Sequence, residues 1–142
     1  MKSLLFVTIQ FACLVYCVMS GQFLIMNSLI LGFQLLGIGI VMWAVITMNP
    51  SQWTIFPEPK KMGSLIVSGP YKWIRHPMYS GSLFMCLPIV VDRFTLIDTA
   101  IMAVFIINLI MKLSFEEKLL IERFPEYIDY RKTTWRIAPF VY

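Results

Sequence analysis

The residues of this 142-residue chain whose types could do chemistry cluster in two places. One is the stretch Ser68-Gly69-Pro70-Tyr71-Lys72-Trp73-Ile74-Arg75-His76-Pro77-Met78-Tyr79-Ser80-Gly81. It combines a Gly-Pro turn, aromatic rings and a cation pair held stiffly by Pro77. The guanidinium of Arg75 can bind a carboxylate or phosphate through its planar fork. Tyr71 and Tyr79 can sandwich a planar or cationic ligand. The second place is Lys112-x-x-x-Glu116-Glu117, with Arg136 further on. Lys112 and Glu116 fall one helical turn apart on one face. A carboxylate there can bind an amine or a ribose hydroxyl. Plainer readings fit the same spacings. Arg75 and His76 would hold lipid phosphates at an interface. Lys112 and Glu116 would form a solvated ion pair contributing a few tenths of a kcal/mol. Glu117, Glu122 and Arg123 would be a wet helix face, and Asp98 an interfacial residue at a helix N-terminus.

The elements that must position these groups are apolar. The chain is 58% hydrophobic and 14% charged, against roughly 45–50% and 25% in soluble domains. Its mean hydropathy is +0.74. A soluble domain of this size cannot hide so much apolar surface, whereas a bilayer acts as its solvent. Residues Ser3 to Pro57 carry no charge at all. One span needs about 20 residues, so this run must fold back once. Ser20-Gly21-Gln22 and Asn27-Ser28 compete as the break. The pattern predicts a first helix over Leu4–Ser20 and a second over Leu24–Met48, stopped by Asn49-Pro50. A retained helix fits the first run better than a signal peptide, because no small-x-small cleavage site follows it.

Residues Ser51 to Tyr79 form a polar loop with Pro57, Pro59, Pro70 and Pro77 and with Trp53, Tyr71, Trp73 and Tyr79 at its borders, where aromatics favour the headgroup level. Ser80–Val91, containing Pro88, and Leu96–Leu113 are the third and fourth apolar runs, read as a hairpin with Asp92, Arg93 and Asp98 at its far end. The fourth helix continues through Lys112 to Phe124, and a short amphipathic stretch reaches Arg136. The expected fold is an all-α polytopic membrane protein of about four transmembrane helices in a single domain over residues 1–142. An N-terminal helical hairpin (1–50) precedes a part (51–142) that carries both chemistry-bearing stretches.

Four crossings put Lys2, Lys60, Lys61, Lys72, Arg75, Lys118, Arg123, Arg131, Lys132 and Arg136 on one face and Arg93 alone on the other. The excess marks the cytoplasmic side. The net charge of +4 therefore reads as topology and headgroup contact. No basic run with interleaved aromatics points to nucleic acid. With one histidine, the three cysteines (Cys13, Cys17 and Cys86) read as buried, reduced thiols, and no metal site is expected. Gly32, Gly37 and Gly39 permit close helix packing, possible dimerisation included. They follow no strand and make no dinucleotide fingerprint.

Gly69-Pro70-Tyr71 followed by Arg75-His76-Pro77-Met78-Tyr79-Ser80-Gly81 resembles the G-x-Y-x-x-x-R-H-P-x-Y-x-G motif of isoprenylcysteine carboxyl methyltransferase-like membrane enzymes and the related phospholipid methyltransferases. Glu116-Glu117, Phe124-Pro125, Tyr127, Tyr130, Arg136 and Pro139 resemble the family's tail. The resemblance covers about Gly63 to Pro139. It implies S-adenosylmethionine-dependent methyl transfer to a lipidic or prenylated acceptor, carboxylate or amine, at the membrane surface. It further implies a cofactor pocket lined by Leu65, Ile66, Tyr71, His76, Pro77, Met78, Tyr79 and Glu116. Arg75, Lys112, Glu117 and Arg136 would serve the transfer step. Lys112 stands where prenylcysteine-methylating members carry arginine, so charge is kept and bidentate binding lost. Pro125 stands where glycine is common.

Two other readings compete. Sterol-type membrane reductases using a nicotinamide cofactor have a similar tail, but with asparagine before the tyrosine and an acid soon after. Here Met78 and Ser80-Gly81 hold those places. A non-catalytic lipid-binding protein of the same fold would leave both motifs unexplained. The cofactor that protects the protein from heat discriminates among the three.

Overall fold

The computed structural model describes residues 2–20, 27–48 and 64–139. The elements there are helical: α1 (Lys2–Met19), α2 (Ser28–Thr47), a 3₁₀ turn (Gly69–Lys72), α3 (Pro77–Arg93), α4 (Leu96–Arg123) and α5 (Tyr127–Lys132). The expected all-α class stands, with no strand among the described residues.

Local chemistry explains most of the helix ends. Asn27 is extended and its side chain accepts from the Leu29 amide at 3.1 Å, satisfying one of the orphan donors at the start of a helix. The expected start of the second helix at Leu24 is thereby corrected to Ser28. The Asn27-Ser28 signal prevails because its amide caps. Pro77 opens α3, where its missing N–H costs nothing. Phe94, with φ +45°, closes α3. Thr95 then caps α4: its hydroxyl accepts from the Asp98 amide at 3.1 Å and donates to the Asp98 carboxylate at 2.5 Å. Asp98 thus sits in the first turn of α4, buried and bonded also by the Tyr16 hydroxyl at 2.9 Å. The stop at Asn49-Pro50, the basic residues Lys60 and Lys61 and the loop through Trp53, Pro57 and Pro59 lie outside the described residues, as do Gly21 and Gln22 and the side chain of Lys2.

α2 and α4 are long and apolar enough to cross a membrane. α4, at 28 residues, runs about 42 Å. That exceeds the roughly 30 Å of bilayer hydrocarbon, so the end that carries Lys112, Glu116 and Glu117 can stand at the boundary. The outward faces are aliphatic: Leu29, Ile46, Leu96 and Ile107 are exposed. This is the pattern of a membrane protein, whose solvent is lipid.

α2 packs on α3, and α1 on α4. The first pair meets at two glycines. A Cβ at Gly37 would lie 2.7 Å from the Gly81 carbonyl oxygen, and one at Gly81 would meet the Gly37 carbonyl at 2.7 Å and Val41 at 2.5 Å. The helix backbones therefore touch. Pro88 removes the N–H that would bond the Phe84 carbonyl, and the buried Gln34 of α2 donates to the neighbouring Met85 carbonyl at 3.5 Å. The second pair buries Cys13 and Cys17 of α1 against Met102, Phe105 and Leu109 of α4, with Cys86 and Ile89 of α3. All three thiols are free and buried, as expected.

The glycine contacts generate a paired prediction. Gly37→Ala and Gly81→Ala each destabilise the protein by about 1–3 kcal/mol through overpacking, read as a lower melting temperature in detergent. Gly32→Ala and Gly39→Ala, where an added Cβ meets nothing within 4 Å, leave the melting temperature unchanged or raise it.

Candidate functional site

The two chemistry-bearing stretches meet where α3 begins and α4 nears its end. Gly69, at φ +56°, allows the 3₁₀ turn that buries Pro70 and Tyr71. The chain then runs extended beside the tail. A parallel bridge pairs Ile74 with Trp135. The Arg75 amide donates to the Trp135 carbonyl at 2.8 Å, the Trp135 amide to the Trp73 carbonyl at 3.0 Å, and the His76 amide to the Arg136 carbonyl at 3.1 Å. Ser80 adds a hydroxyl bond to the Ile137 carbonyl at 2.5 Å. Several backbone polar groups of this irregular segment thus find partners within the protein.

This clasp aims Arg75 and Arg136 at one carboxylate. Arg75 Nε donates to Glu117 Oε1 at 2.8 Å, and Arg136 donates to Glu117 Oε2 through Nη2 at 2.7 Å and Nε at 3.0 Å. Arg75 Nη1 reaches the carbonyls of Arg131, at 2.9 Å, and Thr134. The Tyr127 hydroxyl completes the shell at 3.4 Å from Glu117 Oε1. Glu117 is 3% exposed, so two sequence readings are corrected. Glu117 is no wet helix face, although Glu122 and Arg123 are exposed. Arg75 has its guanidinium against Glu117 rather than at a lipid phosphate. Both facts come from the tail folding back, a long-range contact that residue spacing does not encode.

One position earlier, Glu116 faces a different set. The Tyr79 hydroxyl donates to Glu116 Oε1 at 2.5 Å. His76 lies between the two carboxylates, with Nδ1 3.6 Å from Glu116 and Nε2 3.6 Å from Glu117. Both distances fall just beyond hydrogen-bond reach, and Nε2 is buried with no hydrogen-bond partner among the described residues. The His76 and Tyr79 rings stack nearly parallel, 5.5 Å apart. Lys112 is 4% exposed. Its ammonium lies 2.7 Å from Gln10 Oε1, 3.9 Å from Glu116 Oε1 and 5.1 Å from the centre of the Tyr79 ring. The solvated Lys112–Glu116 pair expected from spacing is corrected: the cation is buried and its close partner is on α1. That partner, Gln10, is the polar group sequence reasoning missed. Gln10 is one of four glutamines, with Gln22, Gln34 and Gln52, in the uncharged run Ser3 to Pro57, so a polar side chain there was visible but its partner was not.

The other predicted lining residues differ in burial. Tyr71 and Pro77 are buried, and Leu65, Ile66 and Met78 are half-buried. The Tyr130 hydroxyl donates to the Tyr71 carbonyl at 2.5 Å. Among the described residues no group of His, Cys, Asp and Glu is arranged to hold a metal ion.

The family model for phospholipid methyltransferase matches residues 27–127. The chain therefore belongs to the phospholipid methyltransferase family and is a membrane methyltransferase by that membership. No curated protein and no solved structure matches it.

Two predictions separate the clasp from the site. Glu117→Gln leaves the buried Arg75 and the half-buried Arg136 without a counter-charge and costs about 3–5 kcal/mol of stability. Glu116→Gln, at the partly exposed carboxyl, costs no more than about 1.5 kcal/mol. Denaturation in detergent measures both. Burial also raises the phenol of Tyr71 above its usual value, and that of Tyr130 to about 12, with the Arg75 cation opposing. The folded state keeps protons that the unfolded chain, near pKa 10.0, has lost. This contribution is complete below pH 10 and disappears as pH rises through about 12. Melting temperatures should fall steeply over that window, and less steeply in Tyr130→Phe.

Proposed function

We propose that the protein transfers a methyl group from S-adenosylmethionine to a lipidic or prenylated acceptor. The observation that carries this reading is the convergence of His76, Tyr79 and Glu116, the last two bonded across 37 residues of chain, inside the stretch that defines the family. The donor set suits the cofactor. A carboxylate can take an amine or ribose hydroxyls. Tyrosine faces favour a sulfonium or an adenine ring. His76, stacked on Tyr79 with Nδ1 3.6 Å from Glu116, can hydrogen-bond a ligand heteroatom through that nitrogen. Leu65, Ile66, Tyr71, Pro77 and Met78 supply the apolar lining.

When bound, S-adenosylmethionine supplies an activated methyl group: the acceptor's lone pair forms the new bond as the carbon–sulfur bond breaks and its electrons stay on sulfur. What the protein must then add is mainly orientation. A carboxylate acceptor needs no base. An amine acceptor must first give up a proton, and Glu116, backed by His76, is the group to take it. Glu117 is occupied by Arg75 and Arg136, so in this reading those three hold the site's walls rather than touch the reacting atoms.

Four crossings fit α1 to α4, with the site toward the cytoplasm because the basic residues gather at that end. A lipidic acceptor then enters from the bilayer and the water-soluble cofactor from the cytoplasm.

Calorimetric titration of S-adenosylmethionine into detergent-purified protein tests the reading. Saturable binding is expected, weakened at least tenfold by Glu116→Ala, about 1.4 kcal/mol, and unchanged by the exposed-site control Glu122→Ala. A folded sample that ignores S-adenosylmethionine and instead binds a nicotinamide cofactor would overturn it.

A further inference from the structure

Lys112 sits in an unusual position for a cation. It lies in an apolar helix, 4% exposed, where an ammonium is costly unless its charge and its donors are met. Its hydrogen bond to Gln10 Oε1 at 2.7 Å uses one of three N–H donors, and Gln10 is neutral. The nearest anionic oxygen, Glu116 Oε1, is 3.9 Å away. That oxygen already accepts from Tyr79 at 2.5 Å. The charge is thus only partly compensated by the chain itself.

α1 meets α4 through polar bonds along the same side: Asn108 Nδ2 donates to the Phe6 carbonyl at 3.1 Å, and Lys112 follows one turn later to Gln10. Gln10 lies outside the residues that define the family. It is half-buried, as is Glu116, so both polar neighbours of the buried ammonium keep some exposure. Once its carbonyl oxygen faces Lys112, the Gln10 amide still offers two N–H donors. An ammonium and a carboxamide offering N–H groups side by side suit an anionic oxygen.

We propose that Gln10 and Lys112 form an anion subsite between α1 and α4. It seats an anionic oxygen of the methyl acceptor, phosphodiester or carboxylate, beside the Tyr79–Glu116 pair. Gln10 is a positioning residue: it holds the ammonium in place and shares the anion. α1 is then part of the site and determines which acceptors are used. The inference rests on the methyl-transfer reading above.

The test uses the full chain in nanodiscs of neutral lipid, with two acceptor probes. Dioleoyl phosphatidylethanolamine carries a phosphodiester beside an amine, and N-acetyl-S-farnesylcysteine carries a carboxylate. Wild type, Gln10→Leu and Lys112→Met are compared for cofactor Kd by calorimetry and for KM and kcat toward each probe. Gln10→Leu should raise KM about tenfold for the probe that is used, with kcat and cofactor Kd within twofold. Lys112→Met should raise KM further, and Lys112→Arg should restore it. The probe affected tells phosphodiester from carboxylate. KM unchanged in both variants overturns the subsite. So does a loss of cofactor binding parallel to the loss of acceptor use, which would mark a structural role. A wild type that binds cofactor and methylates neither probe overturns it too. A wild type that binds no S-adenosylmethionine overturns the methyl-transfer reading instead.

Discussion

A single buried carboxylate organises the functional end of this molecule. Glu117 accepts from Arg75 and Arg136 at 2.7–3.0 Å, and the three come from α4, the segment before α3 and the C-terminal tail. A buried charge of this kind is tolerable only when every partner is present. The three segments therefore assemble together or not at all. The bridge between Ile74 and Trp135 is the backbone counterpart of the same constraint. It gives an irregular stretch a place for its N–H and C=O groups in a protein otherwise built from helices.

The adjacent acid serves the opposite purpose. Glu116 and Glu117 are neighbours in sequence, but about 100° of rotation along α4 separates their directions. Glu117 turns into the clasp, while Glu116 turns toward Tyr79 and His76 and keeps some exposure. His76 stands between them, stacked on Tyr79. The clasp fixes the start of α3 and so fixes both rings. The Gly37–Gly81 contact fixes the same helix from its other side. The residues of the Arg75–Gly81 motif thus fall into two groups. Arg75, Ser80 and Gly81 hold backbone and helices together, whereas His76 and Tyr79 present polar atoms beside Glu116.

The bundle also manages polar groups along its α1–α4 seam. Tyr16 meets Asp98 at one end, Asn108 meets the Phe6 carbonyl in between, and Lys112 meets Gln10 near the site. Apolar packing in lipid specifies rotation only weakly, because tails and side chains are alike in polarity. Such polar contacts give this helix pair its register.

The sequence by itself determined the solvent, the helix inventory and the two stretches that carry the chemistry. Long uncharged runs cannot be reconciled with water, and proline, asparagine and threonine signals mark helix ends locally. Asn27 shows the limit of such signals, because two breaks competed and only the cap in place settled where α2 starts. Tertiary structure alone decided which charged residue faces which. Spacing paired Lys112 with Glu116, which stand 3.9 Å apart, but left that pair in water and Glu117 and Arg75 at wet or lipid surfaces. In the fold, Lys112 reaches Gln10 across 102 residues, and Arg75 reaches Glu117 across 42. Helical periodicity reports neighbours within a turn or two. The environment of a charge depends on which helix and which tail come to rest against it, and that follows from global packing.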